Sequence, residues 1–316
     1  MYTKQPTIVF FMLVTNRDVY IADYSIKSYR KLIPVLKNYN WKLVIYLNCL
    51  KKEYKHKYLK IWNNYGYTEI MDNSEFVDVE KLIPGQEVKD NYGNKSSLEG
   101  KFERGCAVWE REFRKFESDY WATVDADFEI ISPDFVIEGL KQLEQNKNLA
   151  VFSSDSSDTV YDVYESYSDE YIISMKRHHT WFCIYKRECQ KCMTSHFYYQ
   201  EKINGKRYSY DDAAKFQFDL EEKYGYSLLS ATRLKNEFRY SFIHYGAFSK
   251  NDSLDKPIKI FFYRCIIFLS HRGLLILNPT CFINKCFRFL GKILKRIFCE
   301  KINKERRIYH YVSKLD

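Results

Sequence analysis

Tyr120-Trp121-Ala122-Thr123-Val124-Asp125-Ala126-Asp127-Phe128-Glu129-Ile130-Ile131 is an apolar run that opens onto two carboxylates one residue apart and then resumes. Trp, Thr, Val and Ile in succession, with nothing at helical spacing, read as a buried strand. An unpaired aspartate is costly to bury, so two of them at the end of a core strand need a cation or hydrogen-bond donors beside them. In extended backbone, residues i and i+2 point to the same side; the spacing therefore predicts that Asp125 and Asp127 address one point in space, with small Ala126 leaving room. Oxygen-only ligands favour a hard divalent ion, Mg2+ or Mn2+, that keeps open positions for water and phosphate oxygens. A turn that uses its own aspartates as local caps is the alternative.

Val124-Asp125-Ala126-Asp127 resembles the Asp-x-Asp motif of metal-dependent nucleotide-sugar glycosyltransferases of the GT-A fold, as found in bacterial surface polysaccharide synthesis. The resemblance covers roughly residues 7–250. It implies an α/β, Rossmann-like fold, a mostly parallel mixed sheet flanked by helices, with a catalytic domain over residues 1–255. The remainder, 256–316, reads as a basic amphipathic helical extension.

The order of segments agrees. Residues 7–14 (TIVFFMLV) form a first strand, and Thr15-Asn16-Arg17-Asp18 leads to a helix over 20–37, interrupted near Pro34. Residues 41–47 form a second strand ending in Asn48, followed by a helix over 53–65 closed by Gly66 and a short strand at 68–71. Strand, helix, strand in this order implies a mostly parallel sheet. Ligands of such sheets gather at the carboxyl ends of the strands, which makes Thr15, Arg17 and Asn48 candidate nucleotide contacts. Residues 72–95 are polar and irregular, and a helix over 97–116 follows. GT-A enzymes often draw cationic donor contacts from the helix before the Asp-x-Asp strand, and Lys101 and Arg104 are the matching positions by resemblance. Beyond the motif come a helix from Ser132-Pro133-Asp134 to Gln145, a strand at 149–153, a Ser-, Asp- and Tyr-rich loop at 154–169, a strand at 180–186 and a helix near 187–199.

Two further constellations carry chemistry. Asp211 and Asp212 precede a helical pattern that ends at Gly225, where acidic residues suit the helix dipole. At the sheet's edge, one of them can also serve as general base for an acceptor hydroxyl. The pair looks like the acidic pair that opens a helix in many inverting GT-A enzymes, which makes Asp212 the first candidate for the base and Asp211 the second. His244-Tyr245-Gly246-Ala247-Phe248-Ser249-Lys250 follows the last short β-like run. A histidine there can bind metal through a neutral imidazole, glycine lets phosphate approach the backbone, and Lys250 neutralises it. Retaining GT-A enzymes of one large family carry a His-x-x-Gly-x-x-Lys segment; here the glycine stands one position early. The two resemblances pull toward opposite stereochemistry, and inversion is preferred.

At 316 residues the chain can hold one large domain with an appendage. Its 28 tyrosines and 23 phenylalanines suit surfaces that stack on sugars or bases, although an AT-rich genome would enrich both without function. The net charge of +9 is concentrated at the end: residues 256–316 hold 14 basic and 3 acidic side chains. In 283–298 apolar residues recur at three- and four-residue steps with Lys285, Arg288, Lys292, Lys295 and Arg296 off the stripe, the pattern of a helix lying on an anionic membrane surface. A helix packed on the catalytic domain is the alternative. No run approaches the roughly 20 apolar residues of a membrane span, and no recognised nucleic-acid module accompanies the charge. Nine irregularly spaced cysteines and no secretory leader suggest a reduced, cytoplasmic protein, peripheral on the inner face of the cell membrane. Cys189 and Cys192 have zinc-knuckle spacing without a second pair to complete it.

The expected function is transfer of a sugar from a nucleotide-diphosphate donor, UDP-sugar favoured, to a glycan or lipid-linked acceptor. The metal is expected on Asp125, Asp127 and His244, with Asp125 also near the donor ribose. Two other classes stand beside it. A sugar nucleotidyltransferase should carry a glycine-rich loop after the first strand, and Thr15-Asn16-Arg17-Asp18 has no glycine. A non-catalytic membrane-associated assembly subunit would keep the fold and lose metal binding.

Overall fold

The computed structural model describes residues 5–16, 18–48, 50–72, 87–89, 95–97, 105–157, 161–165, 170–174, 177–193, 197, 199–203, 206–210 and 213–245. They fall in one compact unit, Met1–Ser253. The expected tail at 256–316 lies outside the described residues. Among the described residues no helix is long and apolar enough to cross a membrane.

Seven strands form the central sheet: β1 (Thr7–Val14), β2 (Asn40–Leu47), β3 (Thr68–Asp72), β4 (Tyr120–Asp125), then, after the short β5 (Phe128–Ile130), β6 (Leu149–Ser153), β7 (Phe182–Lys186) and β8 (Ser227–Ser230). Their order is β8-β6-β7-β4-β1-β2-β3. Every neighbouring pair is parallel except those of β7, which runs antiparallel to both β4 and β6. This is the mixed, mostly parallel sheet expected, and helices flank it: α1 (Val19–Ser28), α2 (Lys52–Asn63), α3 (Gly105–Lys115), α4 (Asp134–Gln145) and α5 (Ala214–Glu222).

The strands are apolar on both faces because both are covered, and alternate residues enter different cores. Phe10, Met12, Ala122, Val124 and Phe182 join Phe135 and Leu140 of α4 and Val19, Ala22 and Ile26 of α1. Phe11, Trp121, Cys183 and Tyr185 join Val108, Trp109 and Phe113 of α3 and Phe216 and Leu220 of α5. Gly139 lets α4 approach β6 closely, since a β-carbon there would meet the Phe152 ring at 2.2 Å.

The ribbon that carries the site stands apart from the main sheet. β5 pairs antiparallel with β9 (Phe242–His244), with His244 opposite Phe128. Among the described residues its other edge has no strand partner; side chains of α1 and the turn after it stand in. Ser25 Oγ donates to the Phe128 carbonyl, Ser28 Oγ accepts from Ile130 N at 2.9 Å, and Lys31 Nζ donates to the Ile130 carbonyl at 2.6 Å. Backbone groups that would otherwise be orphaned are thereby satisfied.

Several local expectations are corrected. The helix over 20–37 stops at Ser28 and tightens into a 3-10 turn, Tyr29–Leu32; Ile33 keeps helical backbone, but Pro34 has no N–H to give the Arg30 carbonyl and its ring crowds that carbonyl. The helix near 187–199 is a 3-10 segment, Arg187–Cys192, in which Cys189 and Cys192 are buried free thiols. The loop at 154–169 contains strands Ser156–Ser157 and Tyr161–Glu165. The latter belongs to a second, four-stranded sheet with Glu170–Ser174, Lys206–Tyr210 and Gln200–Ile203. Within the stretch read as irregular, Glu87–Lys89 and Lys95–Ser97 pair antiparallel. The short β-like run expected before His244 opens instead with a 3-10 turn, Asn236–Tyr240, and β9 follows it.

Candidate metal centre

Asp125 is the last residue of β4, and Ala126 and Asp127 form the turn into β5. The two carboxylates therefore do not converge by strand alternation, as the spacing suggested; the turn after β4 brings Asp127 round. Two main-chain bonds pin this turn: Asp125 N donates to the Trp181 carbonyl at 2.9 Å, and Tyr245 N donates to the Asp127 carbonyl at 3.0 Å. β9 then delivers His244 from more than a hundred residues away. Its Nε2 lies 3.3 Å from Asp125 Oδ2 and 3.2 Å from Asp127 Oδ1. Behind them the buried Tyr245 hydroxyl donates to Glu129, tying the residue after His244 to the middle of β5.

One ligand atom from each of Asp125, Asp127 and His244 can be chosen so that all lie within 4.8 Å of one another, and among the described residues this is the one such group. Adjacent ligands of an ion bound at about 2.1 Å lie about 3 Å apart, so the 3.2 and 3.3 Å separations suit a single divalent cation. Two carboxylates and an imidazole are also a donor set that Mn2+ and Mg2+ accept. The residues fit the metal.

The electrostatics agree with a centre that wants a cation. Burial alone would lower the His244 imidazole, but the charge of Asp127 and the contacts with both aspartates outweigh it and hold it up at about 9. A proton on His244 thus supplies positive charge between the carboxylates. Burial lifts the Asp125 carboxyl above its ordinary range, with His244 opposing. Asp18, at the start of α1, is pushed up to about 7 by burial, which outweighs its hydrogen bonds from Thr15 N (2.6 Å) and Thr15 Oγ1 (3.1 Å), while the nearby charge of Asp127 adds to the rise.

The other candidates are placed unevenly. Thr15 follows β1 at the carboxyl edge and is engaged with Asp18. Asn48 closes β2 with its amide on the Val14 carbonyl at 2.9 Å, and it is fully buried. Arg17, Lys101, Arg104, Asp211, Asp212 and Lys250 lie outside the described residues. Ala213, directly after the acidic pair, has φ of 58°, the left-handed region that a residue with a β-carbon enters at a cost. Sequence reasoning did not single out Glu129, Tyr245 or Trp181; the Tyr directly after His244 was the available signal for one of them. Two open hollows of about 470 and 740 Å³ lie at the opposite edge, around the strand starts Thr7, Asn40 and Trp41, and neither includes a residue of the centre.

Comparison with protein-family models gives no match, and comparison with curated protein sequences gives none either. Among solved structures, the chain overlaps a mannosyltransferase from Pyrobaculum calidifontis in complex with GDP-Man and Mn2+, at 10% identity and a TM-score of 0.45, covering 93% of this chain and 81% of that one. Glucosyl-3-phosphoglycerate synthase from Mycobacterium tuberculosis, in complex with Mn2+ and UDP-glucose, overlaps at 10% identity and a TM-score of 0.41, covering 85% and 80%. At these scores the overlap assigns no function, and the functional reading rests on the chemistry of the centre.

Proposed function

We propose that the chain is a metal-dependent glycosyltransferase, GT-A-like in fold, that moves a sugar from a nucleotide-diphosphate donor, UDP-sugar favoured, to a glycan or lipid-linked acceptor in cell-surface polysaccharide biosynthesis. The observation that carries this reading is the convergence of Asp125, Asp127 and His244 at the carboxyl edge of a mostly parallel sheet, where ligands of such sheets gather. These three residues would hold Mn2+ or Mg2+, which when bound supplies positive charge to a departing diphosphate.

The remaining roles belong to the chain's own groups. Thr15 and Asn48, at strand ends, and Arg17 would contact the donor, with Lys101, Arg104 and Lys250 as cationic contacts to the phosphates. Asp125, at the rim of β4, is also within the donor's reach. Asp212, with Asp211 as second candidate, takes the proton of the acceptor hydroxyl as its oxygen bonds to the anomeric carbon and the bond to the diphosphate breaks. Direct displacement inverts the sugar. A retaining outcome is the second reading: one large family of retaining GT-A enzymes carries a His-x-x-Gly-x-x-Lys segment, which His244, Gly246 and Lys250 match in part, the glycine standing one position early. The basic tail, 256–316, would hold the enzyme to an anionic inner membrane surface.

A thermal-shift screen against UDP-, GDP-, CMP- and dTDP-sugars, each with Mn2+ and with EDTA, tests the donor class: a metal-dependent rise with one nucleotide is expected, and no rise with any returns the assembly-subunit reading. With the donor known, NMR of the product's anomeric proton separates inversion from retention. Removing residues after Lys256 should release the protein from anionic vesicles, and retained binding would reject the membrane role of the tail.

A further inference from the structure

Trp181 touches both halves of the metal centre. Its carbonyl accepts the amide of Asp125 at 2.9 Å, so its main chain fixes the end of β4. Its indole lies against the His244 imidazole with ring centroids 4.0 Å apart and planes inclined by 20°. The His179 ring stacks on the same indole at 4.0 Å and 1°. Two rings at that distance can share one indole only from opposite faces, so Trp181 is sandwiched. His179 is itself anchored by its amide to the Asp155 carbonyl at 3.0 Å. Among the described residues no other aromatic ring packs on His244. At its tip the imidazole meets Asp125 and Asp127 through Nε2, and the indole face sets the plane in which it does so.

We propose that Trp181 is the positioning residue of the centre: its face sets the plane of the His244 imidazole while its carbonyl sets Asp125, so that a divalent cation meets three ligands already aimed at it. The inference rests on the metal reading above. Its physical content is pre-organisation. An imidazole that must be ordered at the moment of binding loses affinity, and outer groups that orient metal ligands are commonly worth about 10- to 100-fold. The arrangement also makes Trp181 a reporter, because a paramagnetic ion held by His244 sits beside an indole in ring contact with its ligand.

Four proteins test this: wild type, Trp181→Leu, Trp181→Phe and, as the control that removes a metal-binding carboxylate, Asp127→Ala. Mn2+ binding is read by the loss of free-ion signal in electron paramagnetic resonance, and tryptophan emission is followed in the same titration. Trp181→Leu is expected to weaken Mn2+ binding by about 10-fold or more. Trp181→Phe, which keeps a flat face, should restore binding to within a few fold while abolishing most of the Mn2+-dependent quenching. A merely structural tryptophan would show no such split. Equal Mn2+ affinity in Trp181→Leu and wild type would overturn the inference. So would undiminished quenching in Trp181→Phe, a measurement that survives if the leucine variant does not fold. Failure of the wild type to bind Mn2+ would overturn the metal reading itself, and this inference with it.

Discussion

His244 stands between Asp125 and Asp127 at 3.3 and 3.2 Å, and its imidazole is held up at about 9, so at neutral pH a metal must displace its proton. Mn2+ affinity is therefore expected to rise with pH between 6 and 8 by up to about tenfold per unit, with about one proton released per ion. Calorimetry in buffers of different ionisation enthalpy reads that proton; a flat affinity with no proton release would show that His244 is not a ligand. Stability of the metal-free protein has the opposite slope. A folded value of about 9 against an ordinary 6.5 gives a contribution fully present below 6.5 and lost as pH rises through 9. Asp18, raised from 3.8 to about 7, likewise contributes stability that is present below 3.8 and lost as pH rises through 7. Asp18→Asn keeps an oxygen for Thr15 while removing the buried charge. It should raise the melting temperature at pH 8 by about 3–6 °C, by less at pH 5, and leave it nearly unchanged only below 3.8. A lower melting temperature at pH 8 would mean that donors around Asp18 stabilise its ionised form.

At the scale of elements, the ribbon β5–β9 is what joins the two ends of the centre, and α1 holds its free edge. Ser28→Ala removes the acceptor of Ile130 N, a buried amide, and should cost about 1–3 kcal/mol in urea unfolding at unchanged slope. A loss below about 0.3 kcal/mol would show that this edge is satisfied some other way. The inner strands of the main sheet were legible as dense apolar runs: β1 and β6 have the bounds expected from TIVFFMLV and LAVFS. The second sheet was not. Glu170–Ser174 pairs in parallel with Lys206–Tyr210, a partner more than thirty residues away, and no local pattern announces such a pairing. The reversed direction of β7 is likewise set by its connection rather than by FCIYK itself. At the site, the Asp-x-Asp spacing and the His244 segment pointed to three side chains that do converge, but the pair was expected to converge by strand alternation, whereas a turn brings Asp127 round. Trp181 was read as the start of a core strand, since an aromatic in such a run carries no mark of its neighbours.

At the scale of the molecule, the sheet, the turn after β4 and the returning strand β9 bring Asp125, Asp127 and His244 together from two distant parts of the sequence. In the proposed function, Asp125, Asp127 and His244 bind a divalent cation through which a nucleotide sugar is held. The most direct test is calorimetric titration of UDP-glucose, and then of GDP-mannose, into wild type and Asp127→Ala, each with Mn2+ and with EDTA. One donor is expected to bind only with Mn2+ and to be lost in Asp127→Ala, whose melting curve still shows a cooperative fold. Donor binding that persists in EDTA, or that Asp127→Ala retains unchanged, would contradict the proposed function.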